Sequence, residues 1–278
     1  MLLTAIIGGS SIGVATNFVP PTNSLVINAW RAGILCLYMT IPTMIETAIN
    51  WNRVNYGSIF TLKNYTQILI TLTTQIAWTT GLLYGSGKMI QSHVYVLNNT
   101  HGLFIVLINF LTGSGLLKAE VIGVLLSFGG VVAMIFDPSA SRVDGSNGSL
   151  SDYSIVLGSA LFGALYFILS GKNVSEFPMC MLLFFMSFHN FILCALMAKA
   201  SDHEHVKILS VDPVNGCFGF LNGQTAFIAL VPFGLLSAFL GSAGYVLCLL
   251  WYSPVVTSNS YLVEPFIAQA LGCVVGID

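Results

Sequence analysis

Charge is what this sequence lacks most. Asp, Glu, Lys and Arg make up 7% of its 278 residues, whereas 55% are hydrophobic. Soluble domains carry about 25% charged residues, and a soluble chain of this length could not cover its surface with so few. The composition therefore predicts an integral membrane protein that crosses the bilayer several times. The formal net charge of −2 provides no basic face, which argues against a nucleic-acid partner.

The sequence is also poor in the motifs of common chemical sites. Its six cysteines have neither the density of a disulfide scaffold nor C-x-x-C metal spacing, so buried thiols are expected. The nucleotide-binding pattern G-x-x-x-x-G-K-[ST] and the zinc-protease pattern H-E-x-x-H do not occur. We therefore expect no enzyme, no cofactor and no metal site.

Long apolar runs are what the sequence does have. About 20 apolar residues suffice for a helix that crosses a bilayer. The clearest interruption is the polar stretch 137–152, rich in Ser, Gly and Asn, which divides the chain into 1–136 and 153–278. The second long polar connection, 199–222, is expected to be solvated. The nine predicted spans are 1–19, 24–46, 65–87, 92–112, 121–136, 153–169, 177–198, 225–251 and 257–277.

The order of spans indicates an internal repeat. An offset of 166 places Ser258 on Ser92 and Tyr261 on Tyr95, although the identity between the halves is low. Five spans, a polar loop and four further spans follow the same spacing. A repeated unit with an odd number of spans must insert in the opposite orientation, which is a recurring device of secondary transporters. The predicted fold class is an all-α membrane protein with two inverted repeats of five helices.

Several segments resemble one family of transporters. Residues 92–105 and 118–130 are similar to the fourth and fifth helices of EamA-type members of the drug/metabolite transporter superfamily. Residues 29–33 resemble the second helix, and residues 244–254 and 262–269 resemble the eighth and ninth. The resemblance implies ten helices in two inverted repeats, with a solute bound centrally and exposed alternately to each side.

The end of the chain departs from that pattern. By the offset of 166, the counterpart of Lys118 would fall at position 284, beyond Asp278. We therefore expect about nine helices, with the second repeat (153–278) truncated before its last helix. On this interpretation the chain is a fragment or a truncated product, and its competence for transport is open.

Polar residues on the fourth and ninth spans are candidates for a central cavity. Glu264 is a carboxylate within an apolar span, and such groups usually face a cavity or a partner. Pro265 beside it predicts a hinge, since proline removes a backbone hydrogen bond and bends the helix. The alternative is that these polar groups only join neighbouring helices. The cavity candidates are Trp30, Arg31, Ser92, Tyr95, Asn98, Asn99, Ser258, Tyr261, Glu264 and Gln269.

Two of these candidates have a second interpretation. Arg31 lies near the start of its span and could extend to the lipid headgroups instead of pairing with a solute or with Glu264. Asn98 belongs to a glycosylation sequon, but a position inside a helix excludes it as an acceptor. The sequon at Asn147 lies in the polar loop and is the glycosylation candidate. A cytosolic N-terminus, which the resemblance favours, places Asn147 on the other side of the membrane.

The predicted function is secondary transport of a small metabolite by alternating access. The alternatives are a nucleotide-sugar or other organic-anion exchanger of the same fold, and a helical receptor or fragment that does not transport. The expected partners are the lipid bilayer and a small solute, while coupling to protons or to a counter-solute, and a homodimer, remain open. The expected location is the plasma membrane or an endomembrane.

Overall fold

A computed structural model describes residues 2–21, 23–51, 57, 60–89, 91–113, 115, 117–135 and 149–276. The described residues form nine helical segments and no β-strand, and the fourth and ninth segments are each broken in two. The helices are α1 (Leu2–Thr16), α2 (Ser24–Asn50), α3 (Leu62–Ser86), α4a (Gln91–Asn98), α4b (His101–Leu111), α5 (Lys118–Ile135), α6 (Leu150–Glu176), α7 (Met179–Ser201), α8 (Ala226–Leu249), α9a (Pro254–Ser260) and α9b (Glu264–Val275).

The structure confirms the all-helical fold class and corrects three of the predicted spans. The fourth span was predicted to be continuous, but it is interrupted at Asn99 and Thr100. The ninth is interrupted by a 3-10 turn, Tyr261–Val263. The sixth helix also runs to Glu176, past the predicted end at residue 169. The break in the ninth helix adjoins Pro265, and hydrogen bonds between the two helices join the two breaks, as described below.

Five helices are long and apolar enough to cross a membrane. They are α2, the fourth helix taken as His93–Leu111, α6, α7 and α8, while α1 is a shorter apolar helix. The outer face of α2 exposes Leu37, Ile41, Met44 and Ile45, and a bilayer can solvate such side chains where water cannot. By length and composition, the chain is therefore suited to a membrane.

The helices pack in a regular set of pairs. α1 lies along α8, α3 along α6 and α2 along α7, and α4a crosses α9b. Small residues allow the close approaches, because a β-carbon at Gly8 would overlap the backbone of Gly241. A β-carbon at Gly81 would likewise overlap Ser159 across the α3–α6 contact. Small residues thus bring α1 close to α8 and α3 close to α6.

The connection between α7 and α8 is folded, contrary to the expectation of a solvated loop. We call residues 202–225 the cap loop. Cys217 and Phe220 are buried, and Trp30 donates its indole N–H to the Gly216 carbonyl at 2.8 Å. The Trp30 side chain is fully buried against Phe220. A tryptophan from α2 therefore anchors the cap loop to the end of the bundle.

A carboxylate holds one turn of the cap loop in place. Asp212 Oδ1 accepts the backbone N–H groups of Asn215 at 3.0 Å and Val214 at 2.9 Å. These donors hold the pKa of Asp212 below its usual value, and Lys207 acts in the same direction. A lowered pKa in the folded chain stabilises the turn above the ordinary Asp range. That contribution is lost as the pH falls through the lowered pKa.

We expect acid to loosen this turn selectively. Below a pH of about 4, hydrogen exchange at the Val214 and Asn215 amides should speed up relative to the intrinsic rate, because Asp212 becomes protonated. In Asp212→Asn the side chain is neutral throughout, so the protection of these two amides should no longer depend on pH. The same acid sensitivity in that variant would contradict the assignment.

Candidate functional site

Glu264 lies at the junction of four helices. It is the first residue of α9b, and 2% of its surface is exposed. Tyr245 of α8 donates its hydroxyl to Oε1, and Asn99 donates its amide to Oε2 at 3.1 Å. A β-carbon at Gly9 of α1 would overlap both the Glu264 carboxylate and the Tyr245 hydroxyl. The carboxylate is therefore buried and hydrogen-bonded in the centre of the bundle.

The break in the ninth helix is stabilised from the fourth. In a regular helix, the Tyr261 carbonyl would accept the N–H of residue 265, but Pro265 has none. In the 3-10 turn this carbonyl accepts the N–H of Glu264, and Asn99 Nδ2 donates to it as well, at 2.7 Å. A neighbouring helix thus adds a hydrogen bond at the carbonyl that Pro265 leaves without its usual donor. The predicted hinge at Pro265 coincides with a break in the helix.

A second polar side chain of α4a enters the backbone of α1. A regular helix would bond Gly13 N–H to the Gly9 carbonyl. The Tyr95 hydroxyl accepts the Gly13 N–H at 2.8 Å and lies within donating distance of the carbonyls of Gly9, at 3.1 Å, and Ser10, at 3.0 Å. A side chain inserted in this way is one of the recognised causes of a local bend. Tyr95 and Asn99, one turn apart, therefore each hydrogen-bond the backbone of another helix, at Gly13 of α1 and at the break in α9.

Arg31 is inside the bundle and does not reach its surface. The side chain is buried, and Nη2 donates to the Ser242 hydroxyl of α8 at 2.7 Å. Its charge interacts with Glu264 and with the hydroxyl groups of Tyr95 and Tyr245, although it forms no ion pair with Glu264. A cation and a carboxylate thus share one buried region.

A cluster of rings surrounds the carboxylate. The Trp78 centroid lies 5.6 Å from His101, 5.5 Å from Tyr166 and 6.2 Å from Tyr245. The ring centroids of Tyr245 and Tyr261 are 3.8 Å apart. Such pairs add about 0.5–1.5 kcal/mol beyond burial of their surface. We call this set the aromatic cluster. Its members are Trp78, His101, Tyr166, Phe167, Tyr245 and Tyr261.

Several buried polar atoms at the centre have no partner among the described residues. They include Arg31 Nε, Trp78 Nε1, the Tyr261 hydroxyl and both ring nitrogens of His101. An unsatisfied buried group costs about 1–3 kcal/mol, and most such groups in proteins are hydrogen-bonded. The concentration of these atoms beside Glu264 provides hydrogen-bonding capacity for a polar molecule.

The structure brings part of the predicted cavity set together. Arg31, Tyr95, Asn99, Tyr261 and Glu264 are all buried and lie on helices that meet at the centre. Pro265 adjoins them on α9b.

The remaining candidates lie elsewhere or contact the site at its edge. Asn98 is buried at the end of α4a, and Ser258 packs against Gly102 at the α4b–α9a crossing. Gln269 is exposed on the outer face of α9b, and Trp30 belongs to the cap-loop contact. Ser92 lies in α4a. Asn147, the glycosylation candidate, lies outside the described residues.

A serine motif in α1 has a structural role. Residues 9–13 fit G-x-S-x-G, the spacing of the nucleophile elbow in hydrolases. That elbow is a strand-to-helix turn, but here the residues lie within α1. The Ser11 hydroxyl donates to the Gly8 carbonyl at 2.7 Å. Gly9 lies against Glu264 and Tyr245, and the N–H of Gly13 donates to the Tyr95 hydroxyl, so the geometry does not present a nucleophile.

Sequence reasoning missed most of the aromatic cluster. Trp78, Tyr166 and Phe167 lie in apolar helices, where the sequence gives no sign of which rings face inward. In the structure, Gly163 lies against the Trp78 ring, and a β-carbon there would come within 2.8 Å of it. A glycine within an apolar helix was the one local sign of this close contact. Tyr245 lies in the segment that resembles the eighth helix of EamA-type transporters.

Comparison with known proteins establishes the fold alone. No protein-family model and no curated protein matches this sequence. Ten chains of solved structures match. One, described as "Crystal structure of protein", superimposes with a TM-score of 0.68 at 15% identity, over 100% of this chain and 87% of that chain. The helical arrangement of this protein is therefore one that solved structures already contain.

Proposed function

We propose that this protein is a secondary transporter that carries a small metabolite through the centre of the bundle by alternating access. One observation carries the proposal: two broken helices, α4 and α9, meet at the buried carboxylate of Glu264. Secondary transporters bind solutes near the middle of the membrane, at discontinuous helices on the interface between inverted repeats. The hydrogen bond from Asn99 to the Tyr261 carbonyl likewise joins the breaks of two discontinuous helices, one from each proposed repeat.

The proposal includes two inverted repeats, α1–α5 and α6–α9, and the packing pairs support them. Exchanging α1 with α6 and α3 with α8 converts the α1–α8 contact into the α6–α3 contact. The same operation exchanges α2 with α7 and α4 with α9. The α2–α7 and α4–α9 pairs are therefore each symmetric under it. The closest glycine contacts within these two pairs, Gly8 on Gly241 and Ser159 on Gly81, are exchanged as well.

Reversible bending is what alternating access would require of α1 and α9. Tyr95 hydrogen-bonds the backbone of α1 at Gly13, and Asn99 hydrogen-bonds the backbone of α9 where Pro265 interrupts it. A side-chain hydrogen bond can be exchanged during a movement more readily than a continuous helix can be broken, because neighbouring backbone bonds stay intact. Helix termini and small interruptions commonly act as hinges in such movements.

The composition of the centre favours a solute with a planar part and acceptor oxygens. The aromatic cluster offers ring faces, and Arg31 Nε, Trp78 Nε1 and the Tyr261 hydroxyl offer donors. Glu264 already accepts hydrogen bonds from Tyr245 and Asn99. The buried guanidinium of Arg31 keeps an exchanger of organic anions or nucleotide sugars as the second candidate of the same fold.

Uptake by reconstituted protein tests the proposal. Proteoliposomes would be incubated with a defined mixture of amino acids, organic acids, sugars and nucleotide sugars, and their contents measured by mass spectrometry. We expect at least one solute to accumulate above empty liposomes and to show counterflow when the same solute is loaded inside. Binding of a solute without counterflow would identify a receptor and contradict transport.

A further inference from the structure

A groove of about 640 Å³ opens on the side of the bundle, between α3, α6 and α7. It lies apart from the aromatic cluster and does not include Glu264. Ile155, Phe162 and Met197 line it while exposing 43–47% of their surfaces. Since α6 and α7 are long and apolar enough to cross a membrane, the open side of the groove faces the region that acyl chains occupy.

The length of the groove corresponds to one leaflet. Along α3 it extends from Thr73 to Tyr84, about 16 Å at the helical rise. The hydrocarbon core of a bilayer is about 30 Å thick, so the groove covers about half of it. Tyr84 lies two residues before α3 ends at Ser86, and Ser154 lies near the start of α6. One end of the groove is therefore at the helix ends, and the other lies in mid-membrane.

The groove is polar at the helix ends and becomes apolar towards mid-membrane. At the helix ends, the Tyr84 hydroxyl donates to Asp152 Oδ1 at 2.7 Å, and Lys88 interacts electrostatically with Asp152. At depth, the hydroxyls of Thr73 and Ser159 donate to backbone carbonyls of their own helices. The deep part of the groove therefore presents an almost entirely apolar surface.

Gly158 keeps the groove open. A β-carbon at this position would meet no atom within 4 Å, in contrast to the tightly packed glycines of α1 and α8. Close packing of the helices therefore does not explain a glycine here. A large side chain at Gly158 would project into the groove without displacing a neighbour.

We propose that the groove between α3, α6 and α7 binds one acyl chain of a glycerophospholipid, with the headgroup at the end marked by Tyr84 and Asp152. The chain is already out of water in the bilayer, so its preference for the groove comes from packing against the groove walls and from contacts of the headgroup. Lys88 is suited to the phosphate, and Asp152 to the ammonium group, of a zwitterionic headgroup. The proposal does not depend on the transport function.

Photolabelling in a bilayer tests the lipid site. The full chain would be placed in phosphatidylcholine nanodiscs that contain a small share of phosphatidylcholine with a diazirine in one acyl chain, and labelled peptides mapped by mass spectrometry. We expect labels to concentrate on α3 and α6 within the groove. Gly158→Leu should reduce that labelling at least five-fold. Gly130→Leu, on an exposed face of α5 that is also open, should leave it unchanged.

The melting temperature of each variant would serve as the folding control. Should Gly158→Leu fail to fold, Ile155→Trp fills the same groove from an exposed position. Even labelling of all exposed helices would overturn the proposal, as would groove labelling unchanged by the filling variant. Displacement of the label by cholesterol, but not by unlabelled phosphatidylcholine, would show a sterol site and would also overturn it.

Discussion

Replacing Asn99 with alanine is expected to destabilise the protein by about 2 kcal/mol, because it removes two buried hydrogen bonds, to the Tyr261 carbonyl and to Glu264 Oε2. Replacing Pro265 with alanine in the same chain is expected to recover about half of that loss. The new N–H at position 265 lies four residues after Tyr261 and can donate to the same carbonyl. Thermal unfolding in detergent, followed for both single variants and the double variant, measures the effect.

The double-mutant cycle separates this hydrogen bond from general packing. Residues that share a partner show interaction energies of about 0.5–3 kcal/mol, whereas independent residues add. Asn98→Ala is the matched control, since the neighbouring Asn98 is also buried but its Oδ1 has no partner among the described residues. Simple addition of the Asn99→Ala and Pro265→Ala effects would show that Asn99 does not stabilise the break in α9.

Glu264→Gln is expected to preserve the fold and to reduce uptake about ten-fold, which is about 1.4 kcal/mol of lost interaction. Glutamine keeps the shape of the side chain and one acceptor oxygen for Tyr245 or Asn99. It removes the ionisable carboxyl group that interacts with Arg31. The measurement is uptake of the solute found in the proteoliposome screen, scaled to the amount of folded protein, across a pH series.

Two comparisons make the Glu264 result specific. Glu120→Gln on α5 removes a carboxylate whose hydrogen bond within the described residues is a local one, from the N–H of Leu117, and should leave uptake unchanged. Arg31→Gln should reduce uptake as Glu264→Gln does, because both charges lie in the same buried region. An unchanged uptake profile in Glu264→Gln, with normal stability, would reduce Glu264 to a structural contact between helices.

Much of the helical arrangement could be predicted because lipid solvation acts on each helix separately. An apolar run of sufficient length is a helix whatever its neighbours, and the bounds of α2, α3 and α8 lie within a few residues of the predicted ones. Glu264 and Pro265 were also conspicuous, since a carboxylate and a proline are each costly in an apolar helix. Their physical cost is visible in the sequence before any partner is known.

The rest depended on contacts between distant residues. The break in α4 at Asn99 and Thr100 contains neither proline nor glycine, and it coincides with the hydrogen bonds that Asn99 makes to α9. The inward rings of Trp78 and Phe167 look like any other apolar residues. The cap loop appears solvated by composition, but it is held by Trp30 from α2. Each case is set by tertiary packing, which local patterns do not encode.

Accessibility of Ser258 from both sides of the membrane tests the central claim most directly. Ser258 is buried beside the crossing of the broken helices, and serine to cysteine is a small change. The variant Ser258→Cys would be made in a chain with its six native cysteines replaced. It would be probed with a membrane-impermeant maleimide in intact cells and in inverted vesicles. Ser151→Cys, exposed at the start of α6, should react from one side alone. Alternating access predicts that Ser258→Cys reacts from both sides, and that the solute shifts the ratio of the two rates. Reaction from one side alone, unaffected by solute, would contradict a transport pathway through this site.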